Sequence, residues 1–309
     1  MTVMQAARAG PGSGLAEVGT VAELRRRIAA WREAGETVAL VPTMGYLHRA
    51  HLTLIDIAHA RCARVITSIF VNPTQFGAGE DFETYPRDHD GDLAQLSAAR
   101  VDIAFAPGLE EVYPSGFATK VAVAGLTGGL CGPKRPGHFD GVATVVAKLL
   151  IQSLPDVAVF GEKDYQQLQM IRRMVRDLDL PVAIAAGPTI READGLAMSS
   201  RNAYLSADER ARAPGLYRAL GEAAGEIARG APVADALARA RGELEASGFD
   251  PVDYVELCDA ESLAPLERLD RPARILAAGW LGRTRLIDNL PLAPTPTQPS
   301  PASGGGRTP

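Results

Sequence analysis

Two histidines three apart, His48 and His51, lie within Pro42–Ile55 (PTMGYLHRAHLTLI), directly after the apolar run Val38–Val41. The chain holds five histidines, so a pair at one strand-to-helix junction is a candidate for chemistry. Three readings are open from these residues alone. A catalytic metal needs further ligands at matching spacing, and HExxH is absent. Packing of both rings as satisfied groups is the second reading. The third is positional: a strand end followed by a helix start leaves free backbone N–H groups at the positive end of a helix dipole, which suits an anion. Two imidazoles there can donate hydrogen bonds to phosphate oxygens, and Gly45 lets the backbone come close to a ligand.

Two further constellations carry suitable groups. In Phe160–Leu168 (FGEKDYQQL), again after an apolar run, Gly161, Glu162, Lys163 and Asp164 occupy a strand-to-helix turn. Lys163 is placed there as a compact charge for a phosphate, although a solvated charged turn reads the same way. Only four of the 32 basic residues are lysines (Lys120, Lys134, Lys148 and Lys163), which points to a need for an ammonium, though drift explains any single lysine equally. In Arg191–Ser206 (READGLAMSSRNAYLS) a DG turn precedes Met198–Asn202. Its hydroxyls and guanidinium suit the outer phosphates of a nucleotide; a helix cap by Ser200 beside an exposed arginine is the plain alternative. Neither GxxxxGK[ST] nor a GxGxxG after the first strand occurs, so a bound nucleotide needs another device.

These segments must be positioned by regular elements. Strand-like apolar runs fall at 37–43, 64–71, 101–106, 157–160 and 182–186, with helical patterns near 50–61, 88–99, 140–153 and 164–178. A capping box at Thr20–Glu23 opens an earlier helix to about residue 34. Continuously apolar strands spaced by helices predict a Rossmann-like parallel sheet with helices on both faces, an α/β fold whose ligands bind beyond the strands' carboxyl ends. After about residue 188 the character changes. A capping box at Ser206–Glu209 leads into Ala/Arg-rich helices, bent or restarted at Pro214, and then VDYVELC, ARILAAGWL and TRLIDNL read as strands. The expected organisation is a patternless, disordered 1–18, a Rossmann-like domain over 19–188, a smaller α+β domain over 189–290 closing the cleft, and a disordered Pro/Ser/Gly tail over 291–309.

Composition bounds the partners. With 309 residues, 46% apolar, and 32 basic against 37 acidic residues, the chain is mildly acidic, and no basic stripe advertises nucleic acid. No apolar run approaches the roughly 20 residues that span a bilayer. The first residues lack the layout of a secretory signal, and three dispersed cysteines without a CxxC pair fit a reducing cytoplasm.

Taken together, PTMG-x-LH-x-x-H, FVNPTQF (Phe70–Phe76), YPR (Tyr85–Arg87), FGEKDYQQL and GLAMSSRN resemble the pantoate–β-alanine ligase family, in order from about residue 20 to 290. That family belongs to the nucleotidyltransferases in which two signatures, "HIGH" and "KMSKS", do the work of a P-loop; here they fall at His48–His51 and Met198–Asn202. The resemblance implies ATP-dependent joining of pantoate to β-alanine through pantoyl adenylate, with release of pyrophosphate and AMP. It implies ATP contacts from Met44, Gly45, Tyr46, Leu47, His48, Arg49, Ala50 and His51, from Gly161, Glu162, Lys163 and Asp164, from Ile190, and from Met198, Ser199, Ser200 and Arg201. His48 is then the proton donor, with His51 and Lys163 also catalytic. Gln75 and Gln167 hold pantoate, Gln75 lies near β-alanine, and Asn72, Tyr85, Arg135 and His138 line the same cleft. Magnesium is expected with ATP, partly through Asp92 and Gln95, and a homodimer is expected. Other outcomes to weigh are a relative that releases its adenylylated product and a nucleotide-binding protein with impaired catalysis. The latter is suggested by Ala50, which stands where the family usually has glycine. Arg49 and Gly91 also replace residues that are commonly acidic.

Overall fold

A computed structural model describes residues 14–294. Strands and helices alternate through its first part: β1 (Ala16–Val18), α1 (Val21–Glu33), β2 (Val38–Thr43), α2 (Arg49–His59), β3 (Arg64–Ile69), α3 (His89–Ala98) and β4 (Ile103–Phe105). Two short helices follow, α4 (Leu109–Val112) and α5 (Cys131–Lys134), and then α6 (His138–Ser153), β5 (Val157–Gly161), α7 (Tyr165–Asp177) and β6 (Ala183–Gly187). α1 starts where its capping residue requires, with the Thr20 hydroxyl accepting from the Glu23 N–H at 3.3 Å.

The six strands form one sheet in the order β1-β4-β3-β2-β5-β6, and every neighbouring pair is parallel. Along β2, Val38 and Leu40 enter a core with α1, α6 and α7, while Ala39 and Val41 enter a second core with α2 and α3. With both faces covered, every β2 side chain except that of Pro42 is buried, which is why the strand reads as one apolar run. Strand order reverses between β2 and β5, so the chains leaving these two strands part and open a crevice at their carboxyl ends.

The second part contains α8 (Ala207–Arg212), α9 (Gly215–Ala228), α10 (Val233–Ala246) and an antiparallel sheet of β7 (Phe249–Asp259), β8 (Ala273–Leu281) and β9 (Thr284–Leu292). Ser206 and Glu209 form the expected capping box, and Pro214 separates α8 from α9. Leu216, Leu220, Ala236 and Leu244 from α9 and α10 pack on Phe249, Leu257 and Ile275 as a separate core. A parallel sheet with helices, followed by a small antiparallel unit, is the fold class expected.

Two ends differ from expectation. Ala16–Val18 form an edge strand on β4 rather than part of a patternless start, and Pro291 and Leu292 complete β9 rather than open a tail. Segments of two or three residues carry no periodicity, and pairing with a neighbouring strand is what recruits them. Residues 1–13 and 295–309 lie outside the described residues. No helix among the described residues is long and apolar enough to cross a membrane.

Candidate active site

The loop leaving β2 is set from beneath. The Gly45 N–H donates to Thr43 Oγ1 at 3.2 Å, and both Gly45 (φ 79°) and Tyr46 (φ 51°) are left-handed. A methyl group on Gly45 would lie 2.8 Å from Asp92 Oδ2 and 3.1 Å from Ile69 Cγ2, so glycine is required by conformation and by space. Asp92, 2% exposed on α3, accepts from the Tyr46 N–H at 2.8 Å and the Leu47 N–H at 2.7 Å. Gln95, one turn on, donates to the Leu47 carbonyl at 3.2 Å. The two expected magnesium ligands are thus engaged with loop backbone, and neither lines the cavity at the β2–β5 crevice. Among the described residues no group of three His, Cys, Asp or Glu side chains could hold a metal.

His48 is the N-cap of α2, and its N–H donates to His51 Nδ1 at 3.2 Å. A neutral His51 therefore carries its proton on Nε2. The two rings lie 4.1 Å apart between centroids. Burial first, and then the Lys163 ammonium, lower His48 to about 4. Burial first, then His48, lower His51 to about 3, with Asp164 opposing them and Lys163 adding the smallest lowering effect. Both imidazoles are neutral near pH 7, able to donate one hydrogen bond each without charge. Ala50 sits in the first turn of α2 and is not among the positive-φ residues, so its methyl group fits the helical backbone there.

The β5 end supplies the cation. Gly161 leads into a 3-10 turn, Glu162–Asp164, that runs directly into α7, placing Lys163 at the turn and Gln167 in the first turn of the helix. The third segment approaches from outside the sheet. Ser199 caps a 3-10 helix over Ser200–Tyr204, and the Ser200 hydroxyl reaches the Tyr46 carbonyl at 3.4 Å. Arg201 forms a bidentate pair with Asp81, both contacts at 2.9 Å, and Arg135 pairs in the same way with Glu80 at 2.8 and 2.5 Å.

A polar network orients Gln75. Asn72, 1% exposed, donates to Gln75 Oε1 at 3.0 Å and to the Gly141 carbonyl at 3.2 Å, and accepts from the Tyr113 hydroxyl at 2.8 Å. With its Oε1 so engaged, Gln75 presents Nε2, which lies 3.2 Å from Met44 Sδ. His138 Nε2 lies 3.0 Å from an Arg135 nitrogen that can only donate, so His138 carries its proton on Nδ1 and donates it to the Gln75 carbonyl at 2.8 Å. Burial, then Arg135, lowers His138 to about 4.

These parts enclose a cavity of about 230 Å³ at the crevice between β2 and β5. It is lined by Met44, His48, Ala50, His51, Gly161, Lys163, Asp164, Ile190 and Met198–Arg201, and also by Asn72, Gln75, Tyr85, Arg135, His138 and Gln167. Gly45, Tyr46, Leu47, Arg49 and Glu162 belong to the same segments but do not line it. One wall is absent from the sequence-based set: Val142, Val145, Val146 and Leu149 of α6, with Phe70. Their i, i+3, i+4, i+7 spacing marks an apolar helix face, but spacing alone does not separate a core face from a cavity wall.

The three lowered histidines give a stability prediction. Each has a folded pKa below the unfolded value of about 6.5, so the unfolded chain binds more protons as pH falls through that window. Their contribution is fully present above pH 6.5 and is lost as pH drops toward 4. Urea midpoints should decline between pH 6.5 and 5, where most carboxylates remain ionised, with a limiting slope of about 1.4 kcal/mol per pH unit for each histidine. His51→Gln should flatten that decline. A flat profile over the same range would contradict the neutral assignments.

Residues 17–291 match the model of the pantoate-beta-alanine ligase family. The chain is 58% identical over 277 residues to a pantothenate synthetase of Paramagnetospirillum magneticum, covering 90% of this chain and 98% of that protein. A crystal structure of pantothenate synthetase from Thermus thermophilus superposes with a TM-score of 0.86 at 51% identity, covering 90% and 99% of the two chains. The pantoate-beta-alanine ligase of Francisella tularensis, solved with beta-gamma ATP and beta-alanine, gives 0.76 at 32% identity, covering 89% and 97%. With the family model spanning both sheets and relatives matched along nearly their whole length, the chain belongs to the pantoate–β-alanine ligase family.

Proposed function

We propose that this chain joins (R)-pantoate to β-alanine at the expense of ATP, in the crevice between β2 and β5. A pantoate carboxylate oxygen attacks the α-phosphorus, the bond to the β-phosphate oxygen breaks, and pyrophosphate leaves. The β-alanine amine then attacks the acyl carbon of pantoyl adenylate, AMP leaves, and the amine gives up its proton. The observation that carries this reading is the convergence of a neutral histidine pair and Lys163 on one cavity at the strand-order reversal of a chain belonging to this family.

Charge accumulates on the α-phosphate oxygens as the pantoate oxygen approaches. His48 and His51 donate hydrogen bonds there, and Lys163 adds a full charge, so all three bind the transition state more tightly than ground-state ATP. The family resemblance makes His48 the proton donor, and as a neutral imidazole it fills that role by donating a hydrogen bond rather than by releasing an imidazolium proton. Met44–His51, Gly161–Asp164 and Ile190 hold the nucleotide, and Met198–Arg201 receive the outer phosphates, which take Arg201 over from Asp81. Gln75 and Gln167 bind pantoate through neutral amides that leave its carboxylate nucleophilic, and Gln75 also lies beside β-alanine. The α6 wall suits pantoate's dimethyl-substituted carbon. Magnesium is expected as the counter-ion of the triphosphate. The residues present do not form a protein cage for it, and no step is routed through it.

Product stoichiometry tests this reading. Pyrophosphate should form with ATP and pantoate alone, whereas AMP release should require β-alanine as well. ADP in place of AMP overturns the reading, and pyrophosphate without AMP when all substrates are present would mean that the adenylate is the end product. Gln75→Ala should lower kcat/KM for pantoate about tenfold or more, the worth of one or two hydrogen bonds. ATP affinity by calorimetry should stay within about twofold. Equal losses for both ligands would remove Gln75 from the pantoate site.

Residues 19–188 act as the ATP- and pantoate-binding domain and 189–290 as the unit that closes the cleft. We place the enzyme in the cytoplasm, a reading supported by three free cysteines. A homodimer rests on the family resemblance, and light scattering should give twice 32.6 kDa.

A further inference from the structure

The pair Asp288-Asn289, in the middle of β9, is unusual for a strand interior, where Asp and Asn are depleted. Both residues are buried, at 3% and 2% exposure, so each needs partners to offset its desolvation. Apart from Arg274 of β8 and the Asn289 N–H, those partners lie outside the small sheet. The Asn289 side-chain NH2 donates to the Glu162 and Lys163 carbonyls, each at 3.0 Å. Its Oδ1 accepts from Arg274 at 2.6 Å, and Arg274 in turn donates to Glu162 Oε2 at 2.9 Å and lies 4.0 Å over the Tyr165 ring. Every polar atom of the Asn289 amide is thereby used on the turn that carries Lys163 or on the arginine beside it.

Asp288 faces the other nucleotide segment. Its carboxylate accepts two hydrogen bonds from Arg191, at 2.6 and 2.9 Å, and Asp288 Oδ1 also accepts from the Asn289 N–H at 2.7 Å. Arg191 donates onward to the Gly195 carbonyl at 3.0 Å and lies 3.9 Å over the Tyr217 ring. Its backbone pairs with Ala197, immediately before Met198, and the Met198 N–H donates to the Ile190 carbonyl at 2.9 Å. Two adjacent residues of β9 therefore hold the two segments that flank the triphosphate end of the cavity.

We propose that Asp288 and Asn289 are positioning residues that fix the Lys163 turn and the Arg191–Arg201 segment to a single point on the C-terminal sheet. The catalytic part of this inference rests on the ligase reading above; the anchoring part does not. Isolated placement of Lys163 by its own turn would leave the ammonium free to drift with α7. The shared anchor sets its distance to the Met198–Arg201 groups and moves both together whenever the small sheet moves.

Asn289→Asp is the sharpest variant: it keeps the shape and the acceptor for Arg274 but turns an oxygen toward two carbonyls. Hydrogen exchange at amides 162–165 should accelerate about tenfold or more, while strands β2 and β3 keep their protection. Asp288→Asn should do the same at 191–201. Adenylation, followed as pyrophosphate release, should fall about 100-fold in kcat for Asn289→Asp with pantoate KM within about twofold. Because Asn289 acts through Lys163, adding Asn289→Asp to Lys163→Ala should cost less than about twofold more. Asn289→Ser, which keeps one donor, should fall between wild type and Asn289→Asp, and it replaces that variant if the latter fails to fold. Unchanged exchange in both segments overturns the anchor whatever the enzyme turns over. Losses that multiply with Lys163→Ala overturn the positioning role even though the anchor stands.

Discussion

Replacing Lys163 by alanine should slow pantoyl-adenylate formation by about 100-fold or more while leaving the thermal midpoint nearly unchanged. The turn carrying Lys163 is held through backbone carbonyls by Asn289 and through Glu162 by Arg274, none of which needs the ammonium. The charge is nonetheless close enough to lower both His48 and His51. A cation beside two neutral donors is what an α-phosphate gathering negative charge requires, and an enclosed site screens that interaction less than water does. Rapid-quench measurement of pyrophosphate release, with thermal unfolding as the control, separates chemistry from folding. A variant with near-normal release would leave Lys163 with no part in the mechanism. Lys163→Arg should recover little, because a planar fork differs from a compact point charge in reach and geometry.

Asp92→Ala should be damaging in a different way. Two backbone N–H groups, that of half-buried Tyr46 and that of buried Leu47, would lose their acceptor. Leaving buried donors unpaired costs about 1–3 kcal/mol each, so stability should fall by about 3 kcal/mol. The loop that Asp92 clamps has two consecutive left-handed residues and leads straight into His48. Releasing it misplaces the histidine pair, and turnover should fall about 100-fold. Magnesium dependence is the discriminating measurement. A clamp predicts an unchanged half-saturating magnesium concentration at reduced rate and reduced stability. A tenfold rise in that concentration with normal stability would instead make Asp92 a ligand of the metal.

How much of the molecule is legible in its sequence follows from how far apart the partners lie in the chain. The alternation of strands and helices is plain because β2 and its neighbours are covered on both faces, leaving continuous apolar runs that need no partner to be recognised. The histidine pair, Gly161–Asp164 and Met198–Arg201 are equally plain, since each is a contiguous run at the end of one element. Gln75 and Gln167 follow from the family resemblance. Asp92 is visible in sequence, but as a metal ligand rather than a clamp. Its partners are 46 and 45 residues away, and an acidic residue in a helix's first turn looks the same whether it meets a metal, water or backbone amides. The α6 wall is legible only as an apolar stripe. Asp288 and Asn289 stand out as polar residues in a strand, but nothing in their own segment says what they hold.

Taken alone, then, the residue order indicated the class of fold and the three segments that line the β2–β5 cavity, while the chemistry expected of them came with the family resemblance. The fold class and the segments depend on spacing within one element, which the residue order states directly. The tertiary structure alone decided that the two histidines are neutral, that Asp92 supports the loop from beneath, and that one point on the far sheet holds Lys163 and the Arg191–Arg201 segment. Those facts depend on burial and on hydrogen bonds between residues brought together by chain reversal, and burial has no local signature at a polar residue.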